Sequence, residues 1–237
     1  IKVGLAITRD FRTIKEKHLV TPFNAKAMAL FPETIKGKMA AVLTVHTDRP
    51  PAKICVALFE REEMLWSPEY WNNWHVGLES HVLQLQRAPN DHIEVGAPPL
   101  KTKYGWLLVY SYIRNYFSPE NHVFGIEAAL LDLKDPTKIL ARTFKPMLAP
   151  EEEYEKFGHV PNIIFPSGAL LEANMLRIYY GAADTTCCLA SVNFKDFMNE
   201  LFIPQLNEAR LVRFPGNPIL EPIRAHPWEA KAVFNPG

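Results

Sequence analysis

The chain of 237 residues is poor in the features that mark many common functions. It has three cysteines, Cys55, Cys187 and Cys188; neighbouring cysteines rarely bridge, and the set lacks the spacing of a zinc site, so they read as core residues. Lysine plus arginine equals aspartate plus glutamate at 26 each, which leaves no basic field of the kind that recruits nucleic acid. No uncharged apolar run approaches the 18 residues of a membrane span. A glycine-rich phosphate loop, a metal-spacing motif and a nucleophile elbow are all missing. His46, His75 and His81 are scattered over strands and loops and read as unrelated to any shared metal. The start, Ile1 to Ala6, has neither an initiator methionine nor a signal-peptide pattern, so the chain is expected to be a mature, trimmed or partial one, cytoplasmic rather than secreted.

What is present is a succession of short apolar runs punctuated by turns. The stretch Glu94 to Tyr112 organises the rest: Pro98 and Pro99 interrupt any ladder, Tyr104-Gly105 connects strands, and Trp106 to Tyr110 is a strand. Thr34 to Thr44 and Phe165 to Tyr180 repeat the design. Further strands are expected over Ile1–Ile7, Met39–Val45, Lys53–Phe59, Ser80–Leu85, Val123–Leu133 and Thr186–Val192, with a helical turn over Glu151–Lys156 and one convincing helix over Phe194–Leu206. Many strands at a rough period of 50 to 60 residues indicate an all-β chain, a propeller or a sandwich.

Several residues carry chemistry. Trp66, Tyr70, Trp71 and Trp74 crowd together with Asn72 and Asn73, a composition able either to stack on sugar rings or to pack between sheets. Glu127 lies inside an apolar strand and therefore needs water, an ion-pair partner such as Arg114 or Arg142, or a cavity. An inverting glycosidase needs two carboxyl groups, for which Glu79, Glu94, Glu127 and Asp184 are candidates. Arg49 and Lys101 can hold an anion or orient a hydroxyl.

The segments Ile1–Phe11, Ala29–Lys38, Val95–Tyr110, Ala128–Arg142 and Pro146–Ala190, the last carrying Pro161-Asn162 and Tyr179 to Thr185, resemble glycoside hydrolase family 130, the β-mannoside phosphorylases and β-mannosidases. The resemblance implies a five-bladed β-propeller, incomplete or permuted here, with substrate in a central funnel and inversion at the anomeric carbon. It implies that Asp184 contacts mannosyl hydroxyls, that Lys101 and Arg49 lie near the attacking group, and that Asn162 joins Trp74 among the substrate contacts. Residues 1–210 would form the second to last blades, and 211–237 resemble the family's N-terminal start.

Ser111 and Tyr112 stand where phosphorylases have histidine and glycine, and Glu127 where glycine is common. A new carboxylate beside a lost anion ligand favours hydrolysis, with Glu127 as base. The alternatives are a phosphorylase producing mannose 1-phosphate, with inorganic phosphate as co-substrate, and a non-catalytic mannoside-binding propeller. The family's acidic motif, aspartate followed by proline and arginine, which supplies the proton donor, is not in this sequence. The expected partner is an oligosaccharide or small mannoside, not nucleic acid or membrane, with no cofactor; a homo-oligomer is left open.

Overall fold

In the computed structural model, residues 1–118, 120–201 and 229–234 are described. Their strands, in chain order, are β1 (Gly4–Thr8), β2 (Ile14–Leu19), β3 (Ala25–Leu30), β4 (Met39–Val45), β5 (Lys53–Phe59), β6 (His92–Val95), β7 (Leu100–Lys101), β8 (Trp106–Arg114), β9 (Val123–Leu131), β10 (Ile139–Arg142), β11 (Ile164–Glu172), β12 (Met175–Ala182), β13 (Thr186–Asn193) and β14 (Glu229–Phe234). They form separate antiparallel sheets: β1-β2; β3-β4-β5; β10-β9-β8-β6, with β7 also on β8; and β11-β12-β13-β14. The chain is thus all-β, in successive blade-like sheets. Among the described residues the sheets do not close into a ring, so a count of five blades rests on the family resemblance.

The three larger sheets pack on one another. One apolar cluster joins Val42, Ile54 and Val56 to Val95, Leu108 and Tyr110; a second joins Leu107, Val109 and Ile126 to Ile164, Ile178 and Ala190. The β8 sheet is therefore covered on both faces, and every residue of β8 except Arg114 is buried. That explains why Trp106 to Ile113 is an almost unbroken apolar and aromatic run rather than an alternating one.

The interruption expected at Pro98 and Pro99 is present, since β6 ends at Val95 and β7 begins at Leu100. At Gly96 the backbone passes so close to the next sheet that a Cβ would stand 2.3 Å from Cγ of Pro166. The Lys-Gly turn after Ile35 is also present: Lys36 and Gly37 have φ of 50° and 78°, and Ile35 bridges Lys38.

Several segments differ from expectation, among them β2 and β3, where no strand was expected. Residues 68–76 form helix α1 (Pro68–Val76), although the sequence reading found its one convincing helix at Phe194. Its signal is local: Ser67 caps the helix by accepting from the Tyr70 amide at 3.3 Å, with Pro68 in the first turn. Ser80–Leu85 is a 3-10 turn (Leu78–His81) followed by one bridge, Cys55 to Val82. The turn expected at Glu151–Lys156 is α2 (Glu153–Lys156), with a capping box made by Glu152 and Glu155. The helix from Phe194 is described to residue 201, and the rest of its expected span lies outside the described residues. Burial pushes the Cys55 thiol up to about 12, as suits a core cysteine.

Gly96→Ala should destabilise the fold by about 1–3 kcal/mol, because a methyl would have to displace Pro166 and shift two sheets apart. A urea unfolding series against Gly37→Ala, where no atom lies within 4 Å of the added carbon, separates crowding from backbone strain.

Candidate active site

The inner strands β3, β6-β7 and β11 run side by side in one direction. Lys26 at the start of β3 bonds Glu94 of β6 at 2.7 Å, while Gly96 faces Pro166 and Lys101 borders the same cleft as Leu171. The starts of all three strands therefore meet at one end of the molecule, together with the loops that precede them. A bulge between Lys26 and Ala29, with Ala27 at φ 50°, kinks β3 just after Lys26.

At that end a buried charged cluster joins two sheets. The Ala52 amide donates to Nδ1 of His92 at 3.1 Å, which makes Nδ1 the acceptor and leaves the proton on Nε2. Nε2–H then donates to Oε1 of Glu94 at 2.9 Å, and Tyr116 stacks on the imidazole at 4.1 Å. Burial alone would raise the Glu94 carboxyl, but the hydrogen bonds from His92 and Lys26 outweigh it and hold the group below its ordinary value. Glu94 is thus an anion in a buried setting, with one oxygen on an imidazole and the other on an ammonium. Opposite it in the ladder stands Ser111, whose Oγ is buried with no partner among the described residues.

Asp184 and Asn162 come to the same end. Ala183 and Asp184, at φ 47° and 51°, are the central residues of a hairpin turn closed by the Thr185 amide donating to the Ala182 carbonyl at 3.0 Å. Two successive positive φ values make it a type I′ turn, which fits the strand twist. Ala183 also donates to the carbonyl of Ile163 at 2.7 Å, so Asn162 (φ 57°) and Asp184 share one corner, both exposed. Gly158 supports it, because a Cβ there would lie 2.6 Å from the Ala183 carbonyl oxygen. Arg49 is exposed in the β4-β5 loop, with its amide bonded to the His46 carbonyl at 3.1 Å.

Lys101 does not join them. It pairs with Glu33 at the far end of β11, beside Leu171 and Asn174. The length of β11 from Ile164 to Leu171 puts it roughly 20 Å from the Asn162–Asp184 corner. Trp74 is in the core: its indole N–H donates to the Val56 carbonyl at 3.3 Å, with Phe23 and His81 stacked against its ring at 5.8 and 4.9 Å. The side chain is buried, at 5% exposure, which leaves no ring face for a sugar, although the residue borders a cavity of about 500 Å³ outside β5. Glu79, another candidate carboxylate, is paired with Lys53.

Glu127 is fully buried in β9, and the partner that neutralises it is Arg87 rather than Arg114 or Arg142. The guanidinium spans both carboxylate oxygens at 2.7 and 2.5 Å, and the Tyr110 hydroxyl donates to Oε2 at 3.1 Å. Arg87 lies 3.8 Å over the Tyr112 ring, and the Tyr112 hydroxyl donates to Asp91 at 2.5 Å. With its oxygens so occupied, Glu127 has the geometry of a structural ion pair that fixes the loop before β6 to the β8 sheet, not of a base holding water.

The comparisons agree with this architecture. The glycoside hydrolase family 130 model, described as beta-1,4-mannooligosaccharide phosphorylase, matches residues 3–202. The chain belongs to that family. A 1,2-beta-oligomannan phosphorylase of Thermoanaerobacter sp. (strain X514) is 32% identical over 199 residues, 82% of this chain and 60% of the relative. A beta-1,2-mannobiose phosphorylase of Listeria innocua is 32% identical over 201 residues, 84% of this chain and 52% of the relative. The solved structure of a Listeria innocua beta-1,2-mannobiose phosphorylase with beta-1,2-mannobiose superposes with a TM-score of 0.70 at 29% identity, over 84% of this chain and 53% of that one. The family 130 chain studied here thus spans somewhat more than half the length of these relatives.

Sequence reasoning missed Lys26 and His92. Lys26 lies in an unremarked strand and His92 in a polar stretch; only Glu94 was among the carboxylate candidates. Arg87→Ala should cost about 3–5 kcal/mol by stranding the Glu127 charge, whereas Arg87→Met with Glu127→Leu should recover most of it; urea unfolding of the single and double variants measures both. For Glu94, whose folded pKa lies below its unfolded one, the stabilisation is present above about pH 4.5 and is lost as pH falls through the folded value. The acid limb of stability should be shallower in Glu94→Gln than in the parent chain when thermal melts are run from pH 6 to 3.

Proposed function

We propose that this chain forms part of a β-mannoside phosphorylase, which transfers a mannosyl group from a β-mannoside to inorganic phosphate. In that reaction a phosphate oxygen forms a bond to the anomeric carbon from the face opposite the leaving oxygen. The glycosidic bond breaks, and the leaving oxygen takes a proton from an acid outside this sequence. Mannose 1-phosphate with inverted configuration results. Asp184 and Asn162 would hold the mannosyl hydroxyls, and Arg49, a cation at the same end of the sheets, would meet the phosphate. Lys26 would tune that end through Glu94 and His92. Lys101 has no part in this reading, because it stands at the other end of β11.

One observation carries the choice of phosphate over water: Glu127, the residue on which a hydrolytic reading depended, is closed off by Arg87 and Tyr110. The names of the relatives and of the family model support the same choice. Ser111, where phosphorylases have histidine, removes one anion donor but adds no base.

Incubation of the whole protein, including the part that supplies the acid, with β-1,2-mannobiose, with and without phosphate, followed by anion-exchange chromatography tests the reading. Phosphate-dependent mannose 1-phosphate, reduced at least tenfold in Asp184→Ala, is the expected result. Mannose released equally under both conditions would overturn it in favour of hydrolysis. Mannoside binding by calorimetry without any turnover would make the chain a binding module.

A further inference from the structure

The corner that presents Asn162 and Asp184 has little of its own to hold it. Neither side chain bonds another group among the described residues, so the backbone alone aims them. That backbone is costly: Asn162, Ala183 and Asp184 sit at φ 57°, 47° and 51°, a conformation that alanine above all adopts only where surrounding structure imposes it. The bonds that impose it come from residues 158–163. The His159 amide donates to Oγ1 of Thr185 at 3.0 Å, the Val160 amide to the Ala183 carbonyl at 3.1 Å, and the Ala183 amide to the Ile163 carbonyl at 2.7 Å. The hairpin is thus held by the segment that leaves α2.

Helix α2 has four residues, too few to be stable alone. What fixes it is the carboxylate of Glu155, which is only 3% exposed. Its Oε2 accepts from the amides of Glu151 and Glu152 at 2.7 and 2.9 Å, and its Oε1 accepts from the Tyr180 hydroxyl at 2.7 Å. Tyr180 is buried in β12, whose last residue, Ala182, opens the Asp184 hairpin. One carboxylate therefore ties the start of α2 to the strand that runs into the corner. Burial, and after it the Glu155 carboxylate, pushes the Tyr180 hydroxyl well above the ordinary phenol range, which keeps it a donor.

We propose that Glu155, acting through Tyr180 and α2, is a positioning residue that fixes where Asn162 and Asp184 stand. The role rests on the mannoside reading above and adds to it a residue that does not touch substrate, since both of its oxygens are occupied inside the protein. A buried carboxylate so fully bonded is suited to holding a shape rather than to exchanging a proton. Arg49 belongs to the β4-β5 loop, where its amide bonds the His46 carbonyl at 3.1 Å. That loop does not depend on α2, so the two substrates should respond differently when the anchor is cut.

Two variants of the whole protein, including the part that supplies the acid, test this. Tyr180→Phe removes the anchor and leaves the capping box. Glu155→Gln keeps an acceptor for the Tyr180 hydroxyl and a residue type that serves in a capping box. Amide hydrogen exchange reads the corner directly: the Val160 and Ala183 amides should exchange at least tenfold faster in Tyr180→Phe, with those of β8 unchanged and Glu155→Gln lying in between. Phosphorolysis of β-1,2-mannobiose reads the consequence. In Tyr180→Phe the KM for mannobiose should rise at least fivefold while that for phosphate stays within twofold; Val42→Ala, in the core of a different sheet, should lower the Tm and move neither KM. Unchanged exchange at the corner, a lowered Tm with both KM values unmoved, or a phosphate KM rising in step with that for mannobiose would leave Glu155 as a structural carboxylate and overturn its positioning role alone. The mannoside reading fails by a different sign, no phosphate-dependent turnover by the parent protein or turnover undiminished in Asp184→Ala, and either would overturn both.

Discussion

The β8 sheet lies between two others and is covered on both faces, and most features of the structure follow from that. Polar groups placed in it need partners inside the protein, and all but Ser111 of those described above have one among the described residues. Glu127 finds Arg87 and Tyr110, Tyr112 finds Asp91, and Glu94 finds His92 and Lys26. Arg87, Asp91 and Lys26 come from distant parts of the chain, Tyr110 from the adjacent ladder position, and His92 from two residues earlier on the same strand. Removing one member would leave a buried charge or hydroxyl without its partner, so the contacts fix the loop before β6 to the β8 sheet and, through Lys26 and Glu94, join that sheet to β3.

The same packing decides where chemistry can occur. Because the inner strands run in one direction, everything at their starts is gathered at one end: Lys26, Glu94, His92, the Arg49 loop, and the corner holding Asn162 and Asp184. Everything at their far ends is removed by the length of a strand. Lys101 and Asp184 are both polar residues in plausible motifs, yet β11 keeps them apart. The candidate site is thus defined by strand direction as much as by residue type.

Glu127 and Trp74 show how a residue's chemistry can be overridden by its surroundings. A carboxylate in an apolar strand invites a catalytic role until a guanidinium fork is found on both its oxygens. An indole in a cluster of aromatics and amides invites a sugar until it is found buried, with Phe23 and His81 stacked against it. Ser67 and Pro68, by contrast, announced a helix in plain view, and the aromatic content of the segment obscured it: the tryptophans at Trp71 and Trp74 are the buried face of α1.

Much of the architecture was legible in the chain because it depends on local rules. The strands over Met39–Val45 and Lys53–Phe59, the proline break before β7, the turn at Lys36-Gly37 and the capped turn before Phe157 all follow from alternation, missing amide donors, left-handed backbone and capping, which act within a few residues. The family was legible because its segments recur in order along the sequence. The pairing of Glu127 with Arg87, of Glu155 with Tyr180 and of Lys26 with Glu94, and the separation of Lys101 from Asp184, were decided only by the tertiary structure. They depend on which sheets face each other and which strand ends coincide, and contacts between residues tens of positions apart leave no periodic trace in a single sequence.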